Sequence, residues 1–374
     1  MNVYGAIDAG ADGVLDALAS GYVRLVEFQE DMNIGRVESR YNNVLLGAIN
    51  GDILDAFEDE EADVLGAFVQ LNALQGQIGN AGESDGAWRS VDVNSTLNGT
   101  GGLTAGALGD IFLIETTGDM NVVEIVSDAG NVRLEAYDGG ILDTFDEDEF
   151  ETDVIGRSID LIAVEGAIGV SGNDLEIDSA KEPDGRLFAS SGGDIYLLET
   201  SDSLHLLRAA SSGGDVRLRT FDTAFAPAME GQFPYLEKHR REPHFSSKNG
   251  TTLIGDAYDR AVVSAAGAVT LEIGDDVTMR SNSLIEAGSS VVIRGDFFRI
   301  GENIRDADSD YGTRMWLTGE IRPIGDYQGY SARIYGGGDA DSFTLTDLFP
   351  GRLHSCLRRR KRGRLPCDRS PLDE

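Results

Sequence analysis

Two groups of side chains in this sequence carry oxygen-rich patterns suited to binding a hard cation. Asp339 and Asp341 lie in GGGDADSFT, Gly336 to Thr344. That stretch fits the Ca²⁺-binding pattern G-G-x-G-x-D-x-U-x at Gly336, Gly337, Asp341 and Phe343, with Asp339 replacing the fourth-position glycine. Such turns place each ion between neighbouring copies, so one copy supplies part of a coordination shell. Asp146 and Asp148, within Asp146-Glu147-Asp148-Glu149, offer further Ca²⁺ ligands if enough oxygens converge. The plainer reading of that run, and of the matching run Glu58 to Glu61, is a solvated loop that keeps molecules apart.

Other chemistry is harder to place. His239, Glu242 and His244 in HRREPH lack the i, i+4 spacing of a helical zinc pair, and Pro243 argues against a helix through them. Arg294-Gly295-Asp296 follows the apolar Val291-Val292-Ile293 and reads as a Gly-Asp turn closing a strand, although the tripeptide is also an integrin-recognition sequence. No Ser/His/Asp or Cys/His set sits in recognisable context, and neither a GxxxxGK[ST] loop nor a GxGxxG after a strand is present. The sequence nominates no nucleophile, and a non-enzymatic role is expected.

Composition narrows the partners. With 65 acidic against 31 basic residues the net charge is -34, which repels nucleic-acid phosphate and anionic lipid. Hydrophobic residues make up 41%, enough for a core, while 47 glycines and 8 prolines suit many short strands joined by Gly/Asp/Asn turns. The cysteines, Cys356 and Cys367, leave the body without a disulfide. No apolar run is long and uncharged enough to span a bilayer, and no signal peptide is visible at the start.

What must position these residues is a repeat. GDIFLIETTGDMNVVEIVSDAGNVRLEA, from Gly109, is copied as GDIYLLETSDSLHLLRAASSGGDVRLRT, from Gly193. Residues 21–55 follow the same pattern shifted by 88, with Val23, Leu25 and Glu27 on Ile111, Leu113 and Glu115. Asp63 to Gly79 matches Asp153 to Gly169 at a shift of 90. Inside this, an Asp or Asn before an aliphatic residue recurs at Ile111, Val132, Val154, Leu175, Ile195 and Val216, and Val23/Val44 and Val269/Val291 keep a similar step. The alternation of apolar residues after each step is that of strands. Coils of about 21 residues cannot bury their own apolar face, but stacked coils form a continuous core. The expected fold is all-β, a parallel β-helix or β-solenoid, in two segments joined by an irregular loop.

Along the chain this gives a flank at 1–20, repeats at 21–223, an irregular junction at 224–250 holding three prolines, a less regular solenoid segment at 251–348, and a basic tail at 349–374 around Arg358-Arg359-Arg360-Lys361-Arg362. Starting in mid-repeat, the chain reads as part of a longer array, with end-to-end association with further repeats expected.

The two copies above, together with GAIGVSGNDLEIDS and GDDVTMRSNSLIEAGSSVVIRGDF, resemble the repeats of large bacterial surface and secreted proteins of the filamentous-haemagglutinin-like and RTX-adhesin kind. The resemblance covers roughly residues 21 to 345. It implies a right-handed β-helix at the cell surface or outside the cell, working as a structural or adhesive rod whose partners are cell-surface or matrix ligands, carbohydrate among them. The alternative from another class is a β-helix polysaccharide lyase or glycoside hydrolase, which needs acidic and basic residues clustered on one lateral face.

Overall fold

The computed structural model describes residues 1–8, 10, 13–57, 59–81, 88–97, 101–144, 152–179, 185–200, 204–220, 262–274, 277–295, 314–324, 332–336 and 342–345. Every regular element among them is a strand. Nearly all belong to two parallel sheets of 14 and 13 strands, called here the first and second walls. The chain visits the walls alternately, so each coil contributes one strand to each.

The sequence forms strands because its apolar residues alternate. Val44–Ala48, Val69–Ala73, Val132–Ala136 and Ile159–Ala163 each bury positions one, three and five and leave the others partly exposed. Parallel pairing brings like onto like: Val23 sits opposite Val44, Ile111 opposite Val132, Ile195 opposite Val216 and Val269 opposite Val291. The inward side chains form one apolar cluster running from Ala19 to Ile321. Each buried aliphatic contributes about 1.5–3 kcal/mol, and each column is closed above and below by its neighbours. The solenoid expected from the sequence is the observed fold.

The long repeat has an odd number of rungs. Ile53–Asp55 and Val64–Leu65 both pair with Met32–Ser39 and make one interrupted rung. Counted that way, the rungs from Val23–Glu27 are Met32–Ser39, Val44–Ala48, the interrupted rung, Val69–Ala73, Val91–Asn94 and Leu103–Ala107, seven in all before Ile111–Glu115. Seven alternations carry the copy to the opposite wall: Val23–Glu27 is in the first, Ile111–Glu115 in the second and Ile195–Glu199 in the first again.

The register expected from spacing fails in two places: between Val132 and Val154, and at Leu175, which lies opposite Leu197 rather than Ile195 while Val154 lies opposite Ile177. Val132 and Val154 lie on opposite walls; Val132 stacks on Ile159, and Val154 stacks between Ile125 and Ile177. The reason is a second interrupted rung, Ile141–Asp143 with Val154–Ile155, both on Met120–Ser127. Extra residues there disturb the count. The stack also runs through the expected junction without a break, since Val216–Thr220 pairs directly with Val269–Ile273 and Leu206–Ser211 with Val262–Ala265. The two segments are therefore one stack. In its last coils a third sheet appears, Val277–Met279, Arg314–Leu317 and Ser342–Leu345.

Corners are fixed by polar staples at repeating positions. Ser39, Ser127 and Ser211 donate to the carbonyls of Gly21, Gly109 and Gly193 at 2.7, 2.8 and 2.6 Å. The aliphatic bridges Ile53–Ile78–Ile111 and Ile141–Ile168–Ile195 are each followed by a glycine in the left-handed region, Gly79 (φ 69) and Gly169 (φ 65). No helix in the described residues is long and apolar enough to cross a membrane.

Candidate functional site

The two interrupted rungs are where carboxylates gather. At the first, the chain makes an excursion, leaving the second wall after Asp55 and re-entering it at Asp63. At the second it leaves the first wall after Asp143 and re-enters at Asp153. Strand geometry points Asp63 and Asp153 outward, because Val64 and Val154, next to them, point into the core.

Both re-entry carboxylates accept a backbone N–H from an acidic residue of the next rung. The Asp92 backbone N–H donates to Asp63 Oδ2 at 2.8 Å, and the Glu176 N–H donates to Asp153 Oδ2 at 2.9 Å. All four residues are buried, at 3%, 4%, 7% and 5% exposure for Asp63, Asp92, Asp153 and Glu176. Burial disfavours ionisation. It pushes Asp63 up to about 9, with the carboxylates of Asp55 and Asp92 adding to the rise and the Asp92 N–H opposing it. Asp92 rises less, to about 6, because the Ser90 hydroxyl donates to it at 2.7 Å. Glu176 rises to about 9 through burial and its hydrogen bond with Asp153.

One oxygen from each of Asp143, Asp153 and Glu176 lies within 4.8 Å of the others. Carboxylates that close repel one another, and a proton or a cation between them relieves the repulsion. The donor set fits a hard, oxygen-preferring ion such as Ca²⁺, which would need further oxygens to complete six to eight ligands.

A different patch lies on the first wall. Asp174, 3% exposed, is bonded by Arg217 and lies 3.1 Å from Arg219 Nε, which in turn is 3.4 Å from Glu272. Arg294 bonds Glu272 from the following rung, and the Tyr196 ring stacks on the Arg217 guanidinium at 4.4 Å. Burial raises Asp174 above the usual carboxylate range, and Arg219 and Arg217 oppose that rise. This is the mixed acidic and basic cluster that a β-helix lyase or hydrolase would require, yet its charges are engaged with one another.

Buried glutamates recur as well. Glu27, Glu115 and Glu199 end equivalent strands on the core side. Glu115 accepts the Ser95 N–H and hydroxyl, and Glu199 accepts those of Ser179. Even with those donors, burial lifts Glu115 to about 8.

The cation ligands expected from sequence, Asp146, Asp148, Asp339 and Asp341, lie outside the described residues, as do His239, Glu242, His244, Asp296, the stretch 224–250 and the basic tail. Trp316 is 59% exposed on Arg314–Leu317, in register between Thr278 and Thr344 of the neighbouring strands. Trp88 joins a short antiparallel pair with Ala81. His205 immediately precedes the strand Leu206–Ser211, and its ring bonds the Gly185 carbonyl at 3.0 Å. Sequence reasoning did not single out the Asp63/Asp92 and Asp153/Glu176 pairs. Their signal was the matching of Asp55 with Asp143 and of Asp63 with Asp153 on either side of the two acidic runs.

No protein-family profile, curated protein or solved structure matches this chain.

Proposed function

We propose that this chain is a non-enzymatic structural or adhesive segment of a bacterial cell-surface or secreted repeat protein. The observation that carries the reading is the unbroken pair of parallel ladders, in which surface acids serve as coil-to-coil staples. Such a stack supplies length and rigidity, because each coil is stabilised only by its neighbours. Its acidic coat keeps it soluble and directs it toward cell-surface or matrix ligands, carbohydrate among them, rather than toward nucleic acid. A divalent cation held by Asp143, Asp153 and Glu176 would fasten one excursion and add to stability.

The test is a polysaccharide panel, neutral and acidic, scored for retention of the chain and for new chain ends. Retention without cleavage supports the adhesive reading. Cleavage that disappears in Asp174→Asn would replace it with the lyase or hydrolase alternative.

A further inference from the structure

On the first wall, four successive rungs, 22–28, 43–49, 68–74 and 102–108, lie in register. Val23, Leu25 and Glu27 and their counterparts point into the core, so the residues between and beside them point outward. Those sixteen outward positions hold one charge, Arg24, and no carboxylate, in a chain whose net charge is -34. Four of them are exposed apolar side chains: Tyr22 (43%), Phe28 (48%), Leu74 (58%) and Leu108 (43%). A contiguous apolar face of this kind is characteristic of an interaction surface. We infer that this face pairs with the same face of a second copy of the chain, the two rods lying side by side and antiparallel.

Charge selects the occupant. Two strongly acidic chains repel wherever carboxylates meet, and here they can approach without any. A twofold axis along the strand direction, between the second and third of the four rungs, keeps each outward column over itself and reverses the rung order. The walls then pack with aligned strands about 10 Å apart. Phe28 lies over the partner's Leu108, Ile49 over the partner's Leu74, and Val26 over the partner's Gly106, which leaves room for it. The charges at the ends match as well. Arg24 stands in the column that runs through Thr104 to Glu124, the first carboxylate of that column. Both are exposed, and neither forms an ion pair among the described residues. In the pair, Arg24 comes within one rung of the partner's Glu124, about 4.8 Å along the rod. Asp8 and Asp128 close the face on its corner column and meet across solvent, a repulsion that salt screens. From strand spacing and rise the face measures roughly 19 by 23 Å, about 440 Å² of each copy, at the low end for specific contacts. The association is therefore weak and reversible.

Sedimentation of the full chain under reducing conditions, over a series of concentrations at low and at moderate salt, reads the association. A monomer–dimer equilibrium is expected, tighter at moderate salt. Leu74→Glu replaces an exposed side chain, so the monomer should keep its fold, and it should weaken the dimer by about tenfold or more because like charges meet at the contact. Ile162→Glu, on the outward side of the second wall, should leave the dimer unchanged. Arg24→Glu and Glu124→Arg should each weaken association, and the two together should restore it. A chain that stays monomeric throughout, a dimer indifferent to Leu74→Glu, or a double exchange no tighter than either single change overturns the pair. A monomeric chain held by a neutral polysaccharide, with retention lost in Leu74→Glu, would overturn it too and give the face to a glycan.

Discussion

The Asp110 carboxylate accepts the backbone N–H of Asn131, one coil further on, at 2.6 Å. The same bond joins Asp31 to Asp52, Asp52 to Gln77, Asp119 to Gly140, Asp194 to Asp215 and Asp215 to Ala268. This gives the recurring Asp-aliphatic pair its physical meaning. The aliphatic residue fills the core column while the aspartate before it supplies an acceptor at the corner where the next coil begins. Hydrogen bonds to a charged acceptor contribute about 1.5–3 kcal/mol, less when water competes. Asp110→Ala should therefore destabilise the chain by about 1–2 kcal/mol, read as a lowered urea midpoint, and Asp110→Asn by less.

Stability should fall as pH rises, contrary to the usual behaviour of carboxylate-rich proteins. Asp63, Asp92 and Glu115 have folded values of about 9, about 6 and about 8, all above the ordinary 3.8 and 4.5. A raised value means that the folded chain binds protons the unfolded chain has already lost. Their contribution is complete below about pH 4 and fades as pH climbs through 6 and then 8 to 9, by up to about 1.4 kcal/mol per unit for each proton. Urea midpoints at pH 5 should exceed those at pH 8.5, and Glu115→Gln should flatten the upper part of the curve. A midpoint that rises over that interval would contradict the assignment.

If a cation occupies the second interrupted rung, millimolar Ca²⁺ should raise Tm and chelation should reverse it. Glu176→Gln should abolish the rise. A Ca²⁺ effect that survives Glu176→Gln would place the ion elsewhere, and its absence in the unaltered chain would remove cation stabilisation from the proposed function.

Gly169 and Gly172 both have positive φ, 65° and 99°, but differ in their surroundings. A Cβ on Gly169 would meet the Tyr196 carbonyl oxygen at 2.2 Å, whereas one on Gly172 meets nothing within 4 Å. Gly172→Ala carries backbone strain alone, about 1 kcal/mol. Gly169→Ala adds a collision with fixed backbone and should cost visibly more by thermal unfolding.

Much of this architecture is legible in the residues themselves. Val23 and Val44, or Val269 and Val291, stack as their spacing implies because nothing is inserted between them. Val132 and Val154 show where spacing stops being enough: an excursion adds residues without adding a rung, so a familiar interval joins opposite walls. The carboxylate pairs were hidden for the same reason. Asp63 meets Asp92 after 29 residues and Asp153 meets Glu176 after 23, so no fixed offset announces the contact. Their burial, which gives them their properties, is a consequence of stacking and has no local signature.

The Asp174 patch offers the sharpest division between scaffold and catalyst. Arg219 lies between Asp174 and Glu272, and both carboxylates keep a second arginine, Arg217 and Arg294. Removing one partner of a buried ion pair typically costs about 3–5 kcal/mol because a charge is stranded. With a second arginine retained on each side, Arg219→Met should cost less, about 2 kcal/mol. Adding Asp174→Asn and Glu272→Gln would take the carboxylate partners from Arg217 and Arg294, so the triple variant should be less stable still in urea unfolding, whereas Arg219→Met alone keeps two matched pairs. A patch that only fastens coils will keep carbohydrate retention in Arg219→Met, with no cleavage before or after the change. If the patch instead works on a glycan, Arg219→Met will stay folded and yet lose cleavage.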